Sequence, residues 1–140
     1  MALVIPAHAH HTIVRDWLET VADAASVYFC RVTQQTFLRL LTNGSVVGAY
    51  GVQPLSNEQA WSYYQSLLAD DRIAFLHQEP AGLEDRWKQF TLRDSPSPKL
   101  WMDAYLAAFA LAGGYRFVTI DKAFSQFDGL NLTLLRAADS

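Results

Sequence analysis

The chain has a single cysteine, Cys30, in 140 residues, so no disulfide can form within it. No apolar run reaches the roughly 18 residues that a membrane-spanning helix needs, and no charged start followed by an apolar segment marks a secretory leader. These absences point to a reducing compartment, and the cytoplasm, with no membrane attachment, is the expectation. Charge is sparse as well: charged residues make up 18% and the net charge is -3. That excludes a global attraction to nucleic acid, although a local basic stripe can still bind phosphates on an acidic protein. No serine sits in a G-x-S-x-G turn, and no glycine-rich loop resembles a phosphate-cradling P-loop. His8, His10 and His11 lie close together but lack a second ligand group at the spacing of zinc sites, and Cys30 reads as a small core residue of an apolar strand.

What the chain does have is core-forming material: 51% hydrophobic and 13% aromatic residues, enough for one domain over residues 1–140. There is no internal repeat, low-complexity tract or linker. From His10 to Ala25, the rows Ile13, Trp17, Val21 and Val14, Leu18, Ala22, Ala25 predict an amphipathic helix. Tyr28 to Val32 reads as a short strand, after which Thr33 caps a helix ending at Asn43 and Gly44 in a left-handed turn. Ser56 and Gln59 form a capping box ahead of the stripe Ala60, Trp61, Tyr64, Leu67, Leu68, and Ile73 to Leu76 reads as a buried strand.

Leu83, Trp87 and Phe90 keep helical spacing up to the turn-rich residues 94–98. Ser97 as N-cap and Pro98 at the first helical position then predict a helix stopped by Gly113 and Gly114. Arg116 to Ile120 reads as a strand, Lys122 to Phe127 as a helical turn, and Leu130 to Leu135 as a further alternating run. Strands alternating with helices predict an α/β sandwich whose parallel sheet is covered on both faces, with ligands gathering at the carboxyl ends of the strands.

Two aspartates point toward that edge. Asp121 directly follows an apolar strand, where it can either bind a metal or cap the turn beginning at Lys122. Asp103 interrupts the apolar run from Leu100 to Ala110 and shares a helical face with Leu100, Leu106, Ala107 and Ala110. A carboxylate so placed calls for a neutralising partner, either a hydrogen bond or salt bridge with an arginine or a metal ion. Together the two suggest an oxygen-ligand site for a hard cation, Mg2+ or Mn2+.

The segment Met102, Asp103, Ala104, Tyr105, Leu106, Ala107, Ala108, then Gly113, Gly114 and Thr119, Ile120, Asp121, Lys122, Ala123, Phe124, resembles the carboxyl half of VapC-type PIN domains, with their "DAYLAA" helix and "T-x-D-x-x-F" turn. Thr33 to Asn43 is similar to the family's "T-E-x-x-F-x-R-L-L-T" helix, and His8, His10, His11, Trp17 and Leu18 match its first helix. The resemblance implies a three-layer α/β/α sandwich and a metal-dependent endoribonuclease, the toxin of a type II toxin-antitoxin pair. It further implies Asp103 and Asp121 as metal ligands and Thr119 positioning Asp121 or a bound water at the substrate; Arg39 and Lys122 are candidates for holding substrate phosphate, although such a charge beside a helix is more often simply solvated. The implied partners are RNA, a cognate protein antitoxin and a second copy in a homodimer.

The chain departs from that family twice. Family members open on an apolar strand ending in a metal-binding aspartate, whereas no aspartate precedes Asp16 here, and Asp16 lies in the predicted first helix. Residues 1–6 align with the family's segment just beyond that motif, so the first central strand is expected to be lacking or shortened. Its loss would leave two unpaired parallel edges, which a stable domain does not readily tolerate. The natural chain is therefore expected to begin upstream of Met1, an expectation that an in-frame stop codon just before Met1 would overturn. The second departure is Gln34, where relatives carry a metal-site glutamate: its amide can hydrogen-bond a coordinated water but brings no charge, and it can equally be a first-turn residue without a role. Activity of these residues as they stand is expected to be weak or absent.

The alternative is a catalytically degenerate PIN-like module that binds antitoxin or RNA. A phosphohydrolase with a strand-end nucleophilic aspartate lacks the paired motifs it would need. Trp61 and Tyr64 are expected to pack inward and Tyr63 to fall off their stripe, while these aromatics and Trp101 favour docking of a partner over base stacking.

Overall fold

The computed structural model describes residues 2–4 (backbone only), 27–44, 53–119 and 121–134. The predicted helix at 10–25, with His8, His10, His11 and Asp16, lies outside the described residues, as does Ile120. The described strands are β1 (Ala2–Val4), β2 (Val27–Phe29), β3 (Ile73–Phe75), β4 (Arg116–Thr119) and β5 (Leu132–Leu134). The described helices are α1 (Arg31–Thr42), α2 (Asn57–Leu68), α3 (Leu83–Thr91) and α4 (Leu100–Gly113), with a 3-10 turn at Lys122–Gln126. Among the described residues no helix is long and apolar enough to cross a membrane.

The strands form one sheet in the order β3-β2-β1-β4-β5, and all of the pairings are parallel. Its centre is not empty. Ala2–Val4, residues expected to lie beyond the first strand, themselves pair with β2 on one side and β4 on the other. Two adjoining parallel edges carry unmet backbone donors and acceptors, and this apolar run satisfies them. The first strand is thus present over Ala2–Val4 rather than lacking.

Alternation along the strands sends side chains to two cores. Val27, Phe29 and Val118 pack with Phe37 and Leu41 of α1 and Ala60 and Tyr64 of α2. Phe117 faces the other way, onto Leu106, Phe109 and the alanines of α4, with Phe124 and Phe127 closing over it. This is the expected three-layer sandwich. Ala104, Ala107 and Ala110 are fully buried and let α4 lie close against the sheet.

Several boundaries differ from expectation. α1 begins at Arg31, with Cys30 as its N-cap residue. Thr33 sits inside the first turn and its hydroxyl accepts from the Cys30 N–H at 2.8 Å. Its end is not left-handed: Asn43 is extended (φ -92°), and its N–H closes on the Leu40 carbonyl. Cys30 is buried, as a core residue should be. α4 begins at Leu100 rather than after Ser97, because the Ser97 hydroxyl donates to the Ser95 carbonyl instead of capping. The capping box at Ser56 and Gln59 forms with both reciprocal bonds, at 3.0 and 3.1 Å. Tyr64 is buried as expected, but Trp61 stays largely exposed, and Tyr63 lies stacked on Phe37 with ring centroids 5.8 Å apart.

The clearest stop signal holds. Gly114 ends α4 in the left-handed region (φ 70°), and the Tyr115 N–H returns to the Ala110 carbonyl at 2.8 Å. A side chain at Gly113 would meet the Tyr115 ring, with Cβ only 2.3 Å from Cε2. This turn sets the offset between α4 and β4. Because an L-residue at that φ costs about 1–2 kcal/mol, Gly114→Ala should lower the urea unfolding free energy by about that amount. Unchanged stability would refute the strain account.

Candidate metal centre

In a parallel sheet, a helix that precedes a strand begins at the carboxyl edge of the sheet, and a residue that follows a strand lies on that same edge. Asp103 occupies the first turn of α4 and Asp121 comes just after β4, so the topology delivers both to one place. The strand order also reverses around β1, next to β4, which is where open α/β sheets gather ligands.

The two carboxylates are close enough to repel. Burial first, and the neighbouring Asp121 charge second, hold the Asp103 carboxyl above the usual carboxylate range. The positive end of the α4 dipole favours the charged form, but such an effect is worth only about 0.3–1 kcal/mol near a surface, and the two opposing causes prevail. The arginine salt bridge that could have explained Asp103 is absent: among the described residues the one ion pair joins Arg72 to Asp70. Nor does any group of three or more His, Cys, Asp or Glu side chains gather around a common point among them.

Asp121 does at least the second of the two jobs weighed for it, capping the turn. One carboxylate oxygen, Oδ1, accepts from the Ala123 N–H at 2.9 Å and caps the 3-10 turn. Thr119 is 2% exposed, and its hydroxyl accepts from the Asp121 N–H at 3.1 Å, fixing the bend that presents the carboxylate. Lys122 is exposed and directly follows Asp121.

Gln34 sits in the first turn of α1, at the carboxyl end of β2, and is 7% exposed. Its Oε1 accepts from Arg31 Nη1 at 2.6 Å, while the Arg31 guanidinium lies 4.7 Å from the Phe75 ring centre. Tyr64 lies beside Gln34; burial pushes its phenol up, and its hydroxyl has no well-formed hydrogen bond among the described residues. Arg39 is exposed about 12 Å along the helix axis from Arg31, on a helix that runs away from the site edge. The structure therefore brings Asp103, Asp121, Thr119 and Lys122 together and does not bring Arg39 to them. Arg31 was not singled out in the sequence; its only signal there was a cation at the start of a helix that follows a strand.

Two unneutralised carboxylates, one of them half-buried, are a donor set that suits a hard divalent cation, with water or substrate oxygens completing its shell. The raised Asp103 pKa has a definite consequence. The folded protein takes up a proton there before the unfolded chain does, so the metal-free protein loses stability as pH rises through that raised pKa. Asp70, held down at about 2 chiefly by its hydrogen bond to Arg72, acts oppositely, and its contribution is lost only as pH falls toward 2. Asp103→Asn should therefore melt higher than the parent at neutral pH in a chelator, with the gap closing toward pH 3.5. A divalent cation should stabilise the parent more than the variant. A lower melting temperature for the variant at neutral pH would contradict this.

The PIN domain family model matches residues 2–130. Ribonuclease VapC41 of Mycobacterium tuberculosis is 53% identical over 135 residues, which are 96% of this chain and 92% of that protein. Ribonuclease VapC29 of the same species is 27% identical over 129 residues, 92% and 85% of the respective chains. Among solved structures, VapBC2 of Rickettsia felis, determined bound to a DNA fragment from its promoter, superimposes with a TM-score of 0.62 at 15% identity, over 97% of this chain and 100% of that one. VapBC-1 of Haemophilus influenzae gives 0.57 at 13%, over 96% and 98%. A family model spanning nearly the whole sequence and a relative this similar along it make the chain a member of the PIN-domain family.

Proposed function

We propose that this protein is a divalent-metal-dependent endoribonuclease, the toxin of a VapBC-type pair, with Asp103 and Asp121 as the metal-binding carboxylates. The observation that carries the reading is their juxtaposition at the carboxyl edge without a neutralising cation among the described residues. Its similarity to Ribonuclease VapC41 supports RNA as the substrate, and the VapBC neighbours support a protein antitoxin. A homodimer and a cytoplasmic setting belong to the same proposal.

Mg2+ or Mn2+ held there would offset the charge of the scissile phosphate and make an attacking water more acidic. Asp103 contributes a carboxylate whose burial strengthens its attraction to a cation. Asp121 would supply the second carboxylate, with Thr119 as a positioning residue behind it. Lys122 offers its ammonium to a phosphate oxygen, and Arg39 is too far down α1 to share that role. Gln34 contributes no charge, and its carbonyl oxygen already accepts from Arg31.

That last contact favours a second reading, a degenerate module that binds RNA or antitoxin without cleaving. Single-turnover assays with excess protein on labelled single-stranded RNA separate the two. The nuclease reading expects Mg2+-dependent cleavage, abolished by chelator. It also expects Asp103→Asn and Asp121→Asn each to slow cleavage by at least the roughly hundredfold that losing even an outer-shell metal partner can cost. Cleavage that persists in either variant sinks the assignment; RNA binding with no cleavage by the parent selects the second reading.

A further inference from the structure

Asp103 forms part of the wall of a hollow of about 480 Å3, together with Arg93, Lys99 and Gln126. A second hollow, of about 580 Å3, adjoins it and shares Arg93, Ser97, Pro98 and Leu100. It runs between α3 and the start of α4, past Lys88 and Leu92 to Trp101. The two make one continuous trough that starts at the proposed metal centre and ends at an exposed indole.

The charges along it are uneven. The chain is acidic overall and has only three lysines, Lys88, Lys99 and Lys122. Two of them line the trough, and the third directly follows Asp121 in the chain. Arg93 stands where the hollows meet, its Nη2 donating to Gln126 Oε1 at 3.2 Å. None of these four cations is paired with a carboxylate among the described residues. Glu84 is the one carboxylate in the larger hollow.

Trp101 is 55% exposed although it is one of the largest apolar side chains present. Its neighbour Trp87 meets it edge-on, at 6.2 Å and 80°, and is anchored by an Nε1 bond to the Trp101 carbonyl at 2.9 Å. Leu92, 68% exposed, lines the same hollow. Aromatic and aliphatic groups alone would suit a protein partner. Unpaired cations leading from a two-carboxylate site to an open indole suit a polyanion whose units each carry a flat apolar face.

We infer that this trough holds the single-stranded RNA segment on one side of the scissile phosphate. Arg93 and Lys99 contact its backbone, Lys88 lies further along, and one base stacks on Trp101. The inference rests on the ribonuclease reading and adds the path of the substrate to it. Residues in the trough would then set how tightly, and with which base preference, RNA lies across the aspartates.

The test is fluorescence anisotropy of a labelled single-stranded RNA with the full chain, in chelator so that cleavage does not interfere, over a range of salt. Arg93→Ala and Lys99→Ala should each weaken binding several-fold and flatten the log-log salt slope by about 0.7 per lost contact. Trp101→Ala should weaken it about tenfold without changing the slope, with Trp101→Phe restoring most of the loss. Unchanged melting temperatures would exclude misfolding. Wild-type affinity in all three alanine variants overturns the inference, and continued Mg2+-dependent cleavage by the parent then shows that the ribonuclease reading survives it. Unaltered RNA binding combined with lost capture of an antitoxin assigns the trough to a protein partner and equally overturns it. No RNA binding or cleavage by the parent overturns both.

Discussion

Two carboxylates that repel each other, held together by the backbone with no cation paired to them among the described residues, are the constraint around which this fold is arranged. In water the side chains would swing apart at little cost. Here Asp103 is fixed in the first turn of a helix pressed on the sheet, and Asp121 is tied at one oxygen to the Ala123 N–H and at its own N–H to Thr119. Neither can retreat far. The protein bears an electrostatic cost in its metal-free form, visible in the raised Asp103 pKa, which a bound cation relieves. Destabilisation confined to one point of an otherwise well-packed domain is expected of a functional site.

The rest of the architecture serves that placement. Parallel strands put the start of α4 and the end of β4 on the same edge. The buried alanines of α4 bring its axis close to the sheet, and the mutually tilted Phe117 and Phe124 rings, with centroids 4.5 Å apart, hold the turn after Asp121 against the core. On the other face, Phe29, Phe37 and Tyr64 pack edge to face beneath α1 and α2. The short β1 joins the two halves of the sheet. Among the described residues no third carboxylate joins Asp103 and Asp121, and water or substrate oxygens would complete the coordination.

Much of this was legible because it follows from local chemistry. A carboxylate inside an alanine-rich apolar run is costly wherever it lies, so Asp103 announced itself. The reciprocal Ser56–Gln59 box and the Gly113–Gly114 stop depend only on residues within a turn of each other. What sequence reasoning misjudged depended on competition between neighbours. Thr33 yielded the N-cap position to Cys30, the Ser97 hydroxyl bonded to Ser95 instead of starting α4, and Trp61 met Tyr64 only edge-on and stayed half exposed. Residues 2–4 were expected beyond the central strand, rather than in it, because an alignment of motifs weighs the missing aspartate, whereas folding weighs the unmet hydrogen bonds of β2 and β4. The trough was invisible, since Lys88, Arg93, Lys99 and Gln126 are joined only by the packing of α3 on α4 and the turn after β4.

The central claim is that Asp103 and Asp121 share one divalent cation. Diffraction from crystals soaked in Mn2+, with the anomalous signal of the metal recorded, tests it most directly. The account predicts a peak within coordination distance of both carboxylates, lost in crystals of Asp121→Asn. A peak elsewhere, or none at Mn2+ concentrations that stabilise the protein in solution, would contradict it.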